Sequence, residues 1–506
     1  MSSKIYSSSI MGLAAHMIEV EVESSHGLRS FNIVGLASKS VDESKERVDS
    51  SIRNSGMKSP YEQPLKVLVN LAPADLKKEG AFFDLPIALA YLLSSRQTQF
   101  NPDKKLFIGE LSLDGRLKPI RGALIIALEA QKKGFEELFL PTENASEASF
   151  AKNLKIIGVK SLKEAVCHLE GRKIIEPTET KENEQHEEDD KNDLSWIKGQ
   201  EYAKRALGIA AAGGHNLLME GPPGTGKTML AKSFAGLLPK LSHDDALEVT
   251  KIYSLTGLLP NNQPLINTPP LRSPHHTSSE AALLGGGNPP QLGEITLAHK
   301  GVLFLDELPE FHRDVLESLR QPLEDGEITV SRAQTRVRLP ARFILLATAN
   351  PCPCGYYGDP EKPCVCSASQ IQMYRRKLSG PLMDRIDMFI NVPRIKFDKL
   401  NSDPEKEKGM EIREIVRQTQ LIQQQRFAGL KISKNSEMQI PQIKQYCSFD
   451  ETSKKLLKQA VDSGKLSPRG YHRLLRVART IADLDKSEKI LFPHISEALL
   501  YRRREA

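Results

Sequence analysis

LLMEGPPGTGKTMLAKSFAGLL, Leu217 to Leu238, is the stretch that decides the fold. Its centre, Gly221-Pro222-Pro223-Gly224-Thr225-Gly226-Lys227-Thr228, matches the phosphate-binding pattern GxxxxGK[ST] in full. An apolar run precedes it and a helix-forming run follows, the strand–loop–helix order that the pattern requires. Glycines let successive backbone N–H groups wrap phosphate oxygens, aided by the start of the following helix. Lys227 supplies a point charge to the β- and γ-phosphates, and Thr228 offers a hydroxyl to Mg²⁺. The whole octet, Gly221 to Thr228, is read as the ATP-binding loop.

Two further apolar runs downstream show no alternation, as buried strands of a parallel sheet do. VLFLDE (Val302–Glu307) ends in Asp306, suited to hold Mg²⁺, and Glu307, suited to polarise an attacking water as general base. FILLATAN (Phe343–Asn350) ends in an amide that can orient that water or bind the γ-phosphate. Two arginines follow in order: Arg385 in PLMDRID and Arg469 in LSPRGYHRLL, candidates for trans-acting and cis-acting roles. A planar guanidinium spreads its charge over a phosphoryl group better than an ammonium does. The expected enzyme is therefore an ATPase using ATP and Mg²⁺.

Upstream, residues 1–172 read as a mixed α/β domain. IEVEVESS (Ile18–Ser25) alternates like a strand, Leu65–Leu71 and Leu106–Ile108 are further strand candidates, and Asp84–Ser94 and Ala123–Lys133 carry helical spacing. Between the two domains, Glu176–Asp193 holds nine acidic residues and two lysines and has no apolar residue but Pro177. Such a segment buries too little surface to offset ordering, so 173–194 is expected to be an acidic disordered linker. Residues 195–395 form the ATPase core, and 396–506 read as a helical C-terminal lid, with Met410–Phe427 and Arg469–Leu484 its clearest helices. The fold class is α/β.

Charge and composition bound the partners. The chain has 506 residues and a net charge of +6; the acidic segment carries −7, which leaves +13 on the rest. A basic body of this kind suits a polyanion. No apolar run approaches the ~20 residues of a membrane span, and MSSKIYSSSIMGL lacks the apolar core of a secretory signal. No membrane partner and a cytoplasmic location are expected.

Four of the six cysteines fall within fifteen residues: Cys352, Cys354, Cys364 and Cys366. Four thiolates can close a tetrahedral Zn²⁺ site. The CxC spacing is less usual than CxxC, and the alternative is a redox-silent loop. Cys167 and Cys447 stand alone and read as structural.

The chain resembles the ComM/YifB group of magnesium-chelatase-like AAA+ ATPases over essentially its full length. The matching pieces include FNIVGLASKSVDESKERV, GELSLDGRLKPIRGAL, RSPHHTSSEAALLGGG, GVLFLDELPEF, LATANPCPCGYYGD and LSPRGYHRLLRVARTIADL. The resemblance implies a homo-hexameric ring, with Arg385 reaching into the neighbouring subunit's site and Arg469 acting from the helical lid. It implies a DNA translocase or helicase promoting branch migration during recombination, as in natural transformation. The alternative is a chelatase-like motor for metal insertion or protein remodelling.

The first domain resembles the Lon-protease C-terminal fold. Where that fold carries its catalytic serine and lysine, this chain has Phe82 and Leu124, neither of which can act as nucleophile or base. ITVSRAQTRVRL (Ile328–Leu339) reads as a β-hairpin. In related rings a hairpin here points into the pore, so Arg332 and Arg336 are the candidate DNA-binding residues, against the plainer reading of a solvated hairpin. Pro274–Gly287 matches the position of a second pore insertion; its His275 and His276 read as a surface or packed pair rather than ligands.

Overall fold

Asn216 shows how the ATPase sheet is assembled. Its side-chain oxygen accepts from Leu345 N at 2.8 Å, its amide donates to Arg385 O at 3.0 Å, and its backbone N–H donates to Asp387 Oδ2 at 3.0 Å. One residue thus ties together the amino ends of three parallel strands. In the computed structural model, residues 2–502 are described except 36–38, 77, 79, 81, 181–193, 261–262, 287–290, 332–335, 379, 395–405 and 465. Two compact units result, one of residues 1–184 with 246–266, the other of 185–245 with 267–506.

The second unit is built on a five-stranded parallel sheet. Its order is Leu271–Arg272, Val302–Leu305, Ile344–Ala349, Leu217–Glu220, Met388–Asn391. By sequence order this is 2-3-4-1-5. The three central strands are buried at nearly every position, as continuous apolar runs demand. Loops leaving their carboxyl ends carry Gly221, Asp306 and Asn350, the place where open α/β sheets bind ligands. The helix expected after the phosphate loop is Lys227–Leu237, those expected at Met410–Phe427 and Arg469–Leu484 are Lys406–Arg426 and Pro468–Leu484, and the unit also holds the helices Glu201–Gly213 and Phe492–Leu500. Leu474, Ile481 and Ile495 of the C-terminal helices share one buried cluster with Met219, Phe304 and Leu346 of the sheet. The expected hairpin pairs Glu327–Ser331 with Arg336–Pro340, antiparallel, with Ser331 opposite Arg336.

The first unit has a seven-stranded mixed sheet, ordered Ser30–Val34, Leu65–Ala72, Ala14–His26, Ser2–Met11, Lys105–Phe107, Glu137–Pro141, Lys155–Val159. The strands expected at Ile18–Ser25, Leu65–Leu71 and Leu106–Ile108 are found as Ala14–His26, Leu65–Ala72 and Lys105–Phe107, and the helices expected at Asp84–Ser94 and Ala123–Lys133 as Asp84–Ser94 and Ala123–Lys132. The opening strand Ser2–Met11 pairs along its whole length with Ala14–His26. Leu124 is fully buried, and Phe82 packs against the cluster of Ala123, Ile125 and Ile126. Residues 246–266 bring part of the helix His243–Thr256 into this unit: Gly122 N donates to Ser254 O at 3.1 Å, and Leu255 packs against Ile125 and its neighbours. Of the acidic segment, 181–193 lies outside the described residues. Among the described residues, no helix is long and apolar enough to cross a membrane.

Candidate nucleotide site and cysteine knuckle

The phosphate loop leaves its strand at Glu220 and enters the helix Lys227–Leu237. Gly226 caps that helix at φ +87°, a left-handed conformation that a side chain adopts only with strain. Gly221 is required for space instead: a Cβ there would stand 2.3 Å from Val392 O. Both constraints come from the fold, and both are met by the motif's own glycines.

Lys227 is 8% exposed. Its ammonium donates to Gly221 O at 2.6 Å, Pro222 O at 2.8 Å and Asn350 Oδ1 at 3.2 Å. Burial lowers its pKa, opposed by the carboxylates of Asp306, Glu307 and Glu220. The lysine and the amide, 123 residues apart in sequence, are therefore brought together. Thr228 Oγ1 donates to Asp306 Oδ2 at 2.9 Å. A hydroxyl and a carboxylate side by side at a phosphate loop are a suitable oxygen donor set for Mg²⁺.

Glu307 follows Asp306 in the left-handed region at φ 55°, ψ 52°, uncommon for a residue with a side chain. Its side chain is exposed, while its backbone N–H donates to Thr348 Oγ1 at 2.9 Å. The same Thr348 hydroxyl donates to Asp306 Oδ1. Thr348 is fully buried and so holds both acids from below. Sequence reading passed over it; the available signal was one hydroxyl inside the apolar run ILLATA.

The two arginines lie elsewhere. Arg385 donates to Pro381 O at 2.6 Å and pairs with Glu324, and its Nε has no partner among the described residues. Arg469 is exposed on the first turn of Pro468–Leu484. One turn on, Arg473 lies 3.7 Å from Asp387, among Asp384, Arg385 and Arg469. Neither Arg385 nor Arg469 forms an ion pair with Asp306 or Glu307 among the described residues. Arg332 lies outside the described residues, and Arg336 is placed only as the strand residue opposite Ser331.

Cys352, Cys354, Cys364 and Cys366 converge, with all four Sγ within 4.8 Å of one another. Cys352 Sγ lies 3.3 Å from Cys354 Sγ and 3.6 Å from Cys364 Sγ, and the latter two are 3.6 Å apart. Four sulfurs at ~2.3 Å from a tetrahedral zinc would stand ~3.8 Å from one another, so the donor set fits Zn²⁺ in kind and spacing. Backbone N–H groups of Tyr357 and Cys366 point at Cys352 and Cys364 sulfurs, at 3.3 and 3.4 Å, as outer partners of a thiolate site do. His275 bonds Thr277 at 2.8 Å, and its ring lies 4.1 Å from that of His276, tilted by 35°; neither belongs to a group of three or more converging ligands among the described residues.

Comparison with known proteins places the chain in a family. Profiles of the families described as "Magnesium chelatase, subunit ChlI", "Subunit ChlI of Mg-chelatase" and "Magnesium chelatase, subunit ChlI C-terminal" match residues 193–400, 20–144 and 406–502. The "Competence protein ComM" of Haemophilus influenzae is 43% identical over 98% of this chain and 97% of its own length. The "Uncharacterized protein YifB" of Escherichia coli is 41% identical over 99% and 97%. The "Magnesium-chelatase 38 kDa subunit" of Cereibacter sphaeroides is 28% identical over 31% of this chain and 52% of its own. With its phosphate loop, paired acids and full-length relatives in agreement, the chain belongs to the ComM/YifB-type family of magnesium-chelatase-like AAA+ ATPases.

Proposed function

We propose that this chain is an ATP-driven DNA translocase that promotes branch migration during recombination, in the cell's uptake and integration of DNA. The observation that carries the motor is the convergence of Lys227, Thr228, Asp306 and Asn350 at the carboxyl ends of three adjacent strands. In this reading Lys227 and the loop's N–H groups hold the phosphates. Thr228 and Asp306 bind Mg²⁺, whose charge offsets that gathering on the phosphoryl oxygens. Glu307 takes the proton of the attacking water and Asn350 orients it. Arg385 reaches the site of the next subunit in a homo-hexamer, leaving Glu324 to do so, and Arg469 acts from the helical lid. Zn²⁺ on the four cysteines is structural.

Support for DNA comes from three sides. The chain outside the acidic segment is strongly basic. The hairpin carrying Arg332 and Arg336 follows Glu307 after three short helical segments and leads into the amino end of the strand that ends at Asn350, so in this reading that strand and those helices couple it to the ATP site. The full-length relative carries the name of a competence protein. Domain limits of 1–172, 173–194, 195–395 and 396–506 complete the proposal, the first a Lon-like scaffold without the catalytic pair. The second reading, a chelatase-type motor, draws on the family descriptions; it is weakened because the chelatase subunit aligns with only 31% of the chain.

ATPase activity should be measured with single-stranded, duplex and four-way-junction DNA, beside migration of the junction. Stimulation by branched DNA and ATP-dependent migration are expected, with binding that weakens as salt rises. Arg332→Ala should weaken binding and slow migration. A wild-type protein that hydrolyses ATP but neither binds DNA nor moves a junction would defeat the DNA reading and favour the chelatase-type motor.

A further inference from the structure

The cysteine knuckle and the ATP site share a strand exit. Asn350 bonds Lys227, and Cys352, two residues on, is the first of the four thiols. Three more contacts join the knuckle to nucleotide-binding elements. Gly355, at φ +85°, packs on the Pro223 ring of the phosphate loop: a Cβ at Gly355 would stand 2.6 Å from Pro223 Cδ and 2.7 Å from Cγ. Tyr374, buried on the helix Ala368–Arg376, hydrogen-bonds the main chain of Asn350, with Glu307, Glu310 and Cys352 around it. Arg394, just past the strand Met388–Asn391, pairs with Asp359 at 2.9 Å and Glu361 at 3.3 Å and lies 5.6 Å from the Tyr356 ring centre. The knuckle therefore touches the phosphate loop, the exit of the Asn350 strand and the exit of the edge strand Met388–Asn391.

We propose that this knuckle is a positioning element of the ATP site, and that metal binding by its four cysteines holds Gly355 against Pro223 and Asn350 against Lys227. The proposal rests on the ATPase and zinc readings above. No cysteine needs to touch nucleotide for this. The nine-residue loop GYYGDPEKP between the two CxC pairs has two tyrosines and no aliphatic residue, too little to order itself by burial. Closing it through a metal fixes its two arms at once, as structural zinc sites do in small folds. A phosphate loop grips with fixed backbone N–H groups, so a rigid ring such as Pro223, pressed from outside, sets where those groups point. Loss of the metal then reaches the nucleotide through packing alone. Gly355 and Tyr374 are positioning residues in this account, and Pro223 and Asn350 are what they position.

Two glycines in the same loop separate this contact from mere loop strain. Gly355→Ala and Gly358→Ala each put a side chain at a left-handed residue, φ +85° and +78°, but only Gly355 has Pro223 beside it, while a Cβ at Gly358 meets nothing within 4 Å. Relieving the Gly355 clash requires a shift of roughly 1 Å, and misplacements of that size cost about 10²-fold in reactivity. The full-length protein and both variants should be assayed for zinc by elemental analysis, for binding of a fluorescent ATP analogue, and for kcat and KM. The expected result is one zinc per chain in all three. Gly355→Ala should weaken analogue binding by at least ~10-fold and lower kcat/KM by about 10²-fold, with Gly358→Ala close to wild type. Wild-type protein stripped of zinc by a chelator should show the Gly355→Ala defect and recover on adding Zn²⁺. Equal behaviour of the two glycine variants, or zinc-free protein that binds the analogue as before, overturns the proposal. Absence of zinc from wild type shows in the elemental analysis before any nucleotide is added, and overturns it at the metal rather than at the ATPase reading.

Discussion

Thr348 offers the sharpest test of the ATP site, because its hydroxyl serves both acids at once. Valine has nearly the same shape as threonine, so Thr348→Val removes the hydroxyl without opening a cavity. Two bonds disappear: one to the Asp306 carboxylate and one from the Glu307 N–H, at a fully buried position. A hydrogen bond to a charged group is worth about 1.5–3 kcal/mol and one to a neutral amide about 0.5–1.5 kcal/mol. If the charged bond alone fixes the orientation of Asp306, its loss corresponds to a 10- to 10²-fold effect, at about 1.4 kcal/mol for each tenfold. The loss should appear in two readings: a higher Mg²⁺ concentration for half-maximal hydrolysis, since Asp306 is the proposed ligand, and a lower kcat, since Glu307 loses the anchor of its unusual backbone. Thr348→Ser keeps the hydroxyl and should recover most of both. A Thr348→Val enzyme with wild-type Mg²⁺ dependence and kcat would refute the claim that this hydroxyl sets the acids.

Glu307→Gln should bind ATP yet hydrolyse it ~10²-fold or more slowly, while Lys227→Ala should lose binding; near-normal turnover by the former removes Glu307 as base. Arg385→Ala should bind nucleotide without hydrolysing it, and mixing it with Lys227→Ala should restore some activity, because mixed rings contain some interfaces with both groups intact; no recovery in rings shown to be mixed counts against the trans role. Burial holds the His215 imidazole neutral down to a pKa of about 4, against ~6.5 when unfolded, so the folded state gains stability above the unfolded value that is lost as pH falls through that window. The stability gap between wild type and His215→Gln, read by thermal melting, should therefore narrow between pH 6.5 and 4.

The ATPase sheet was legible because its strands are buried on both faces. VLFL and ILLATA can be nothing but apolar where helices cover both sides, and the loop between a short strand and a helix needs its glycines. The helix Asp84–Ser94 was legible for a similar reason, with nearly every residue buried. The strand Ser2–Met11 was not. Its centre is Ser7-Ser8-Ser9, all buried, and serine has no strand preference to reveal. What makes it a strand is ten residues of pairing with Ala14–His26, a partner that local sequence does not announce. The grouping of 246–266 with the first unit was hidden in the same way. The helix His243–Thr256 looks like any half-buried helix, and its surroundings depend on Gly122, more than a hundred residues upstream.

At the site, motif spacing identified the residues whose chemistry is explicit: an ammonium, two carboxylates, an amide, four thiols. It could not identify those that act by placement. Thr348 holds Asp306 and Glu307, Asn216 ties the Arg385 carbonyl to two other strands, and Gly355 bears on Pro223, 132 residues away. None of the three carries a charge, and each matters only through what it touches. Their arrangement bears on how the motor works. Asn216 ties the amino ends of three strands together, while phosphate loop, acids and amide meet at the opposite, carboxyl ends. There Gly355 lies against Pro223, whereas the chain leaving Glu307 passes through three short helical segments before it reaches the hairpin Glu327–Pro340, whose base meets the amino ends of the sheet where Lys300 N donates to Arg342 O. In the proposed motor, a change at the phosphates therefore reaches the hairpin through the strand Ile344–Ala349 and the helices that precede the hairpin, across the length of the sheet.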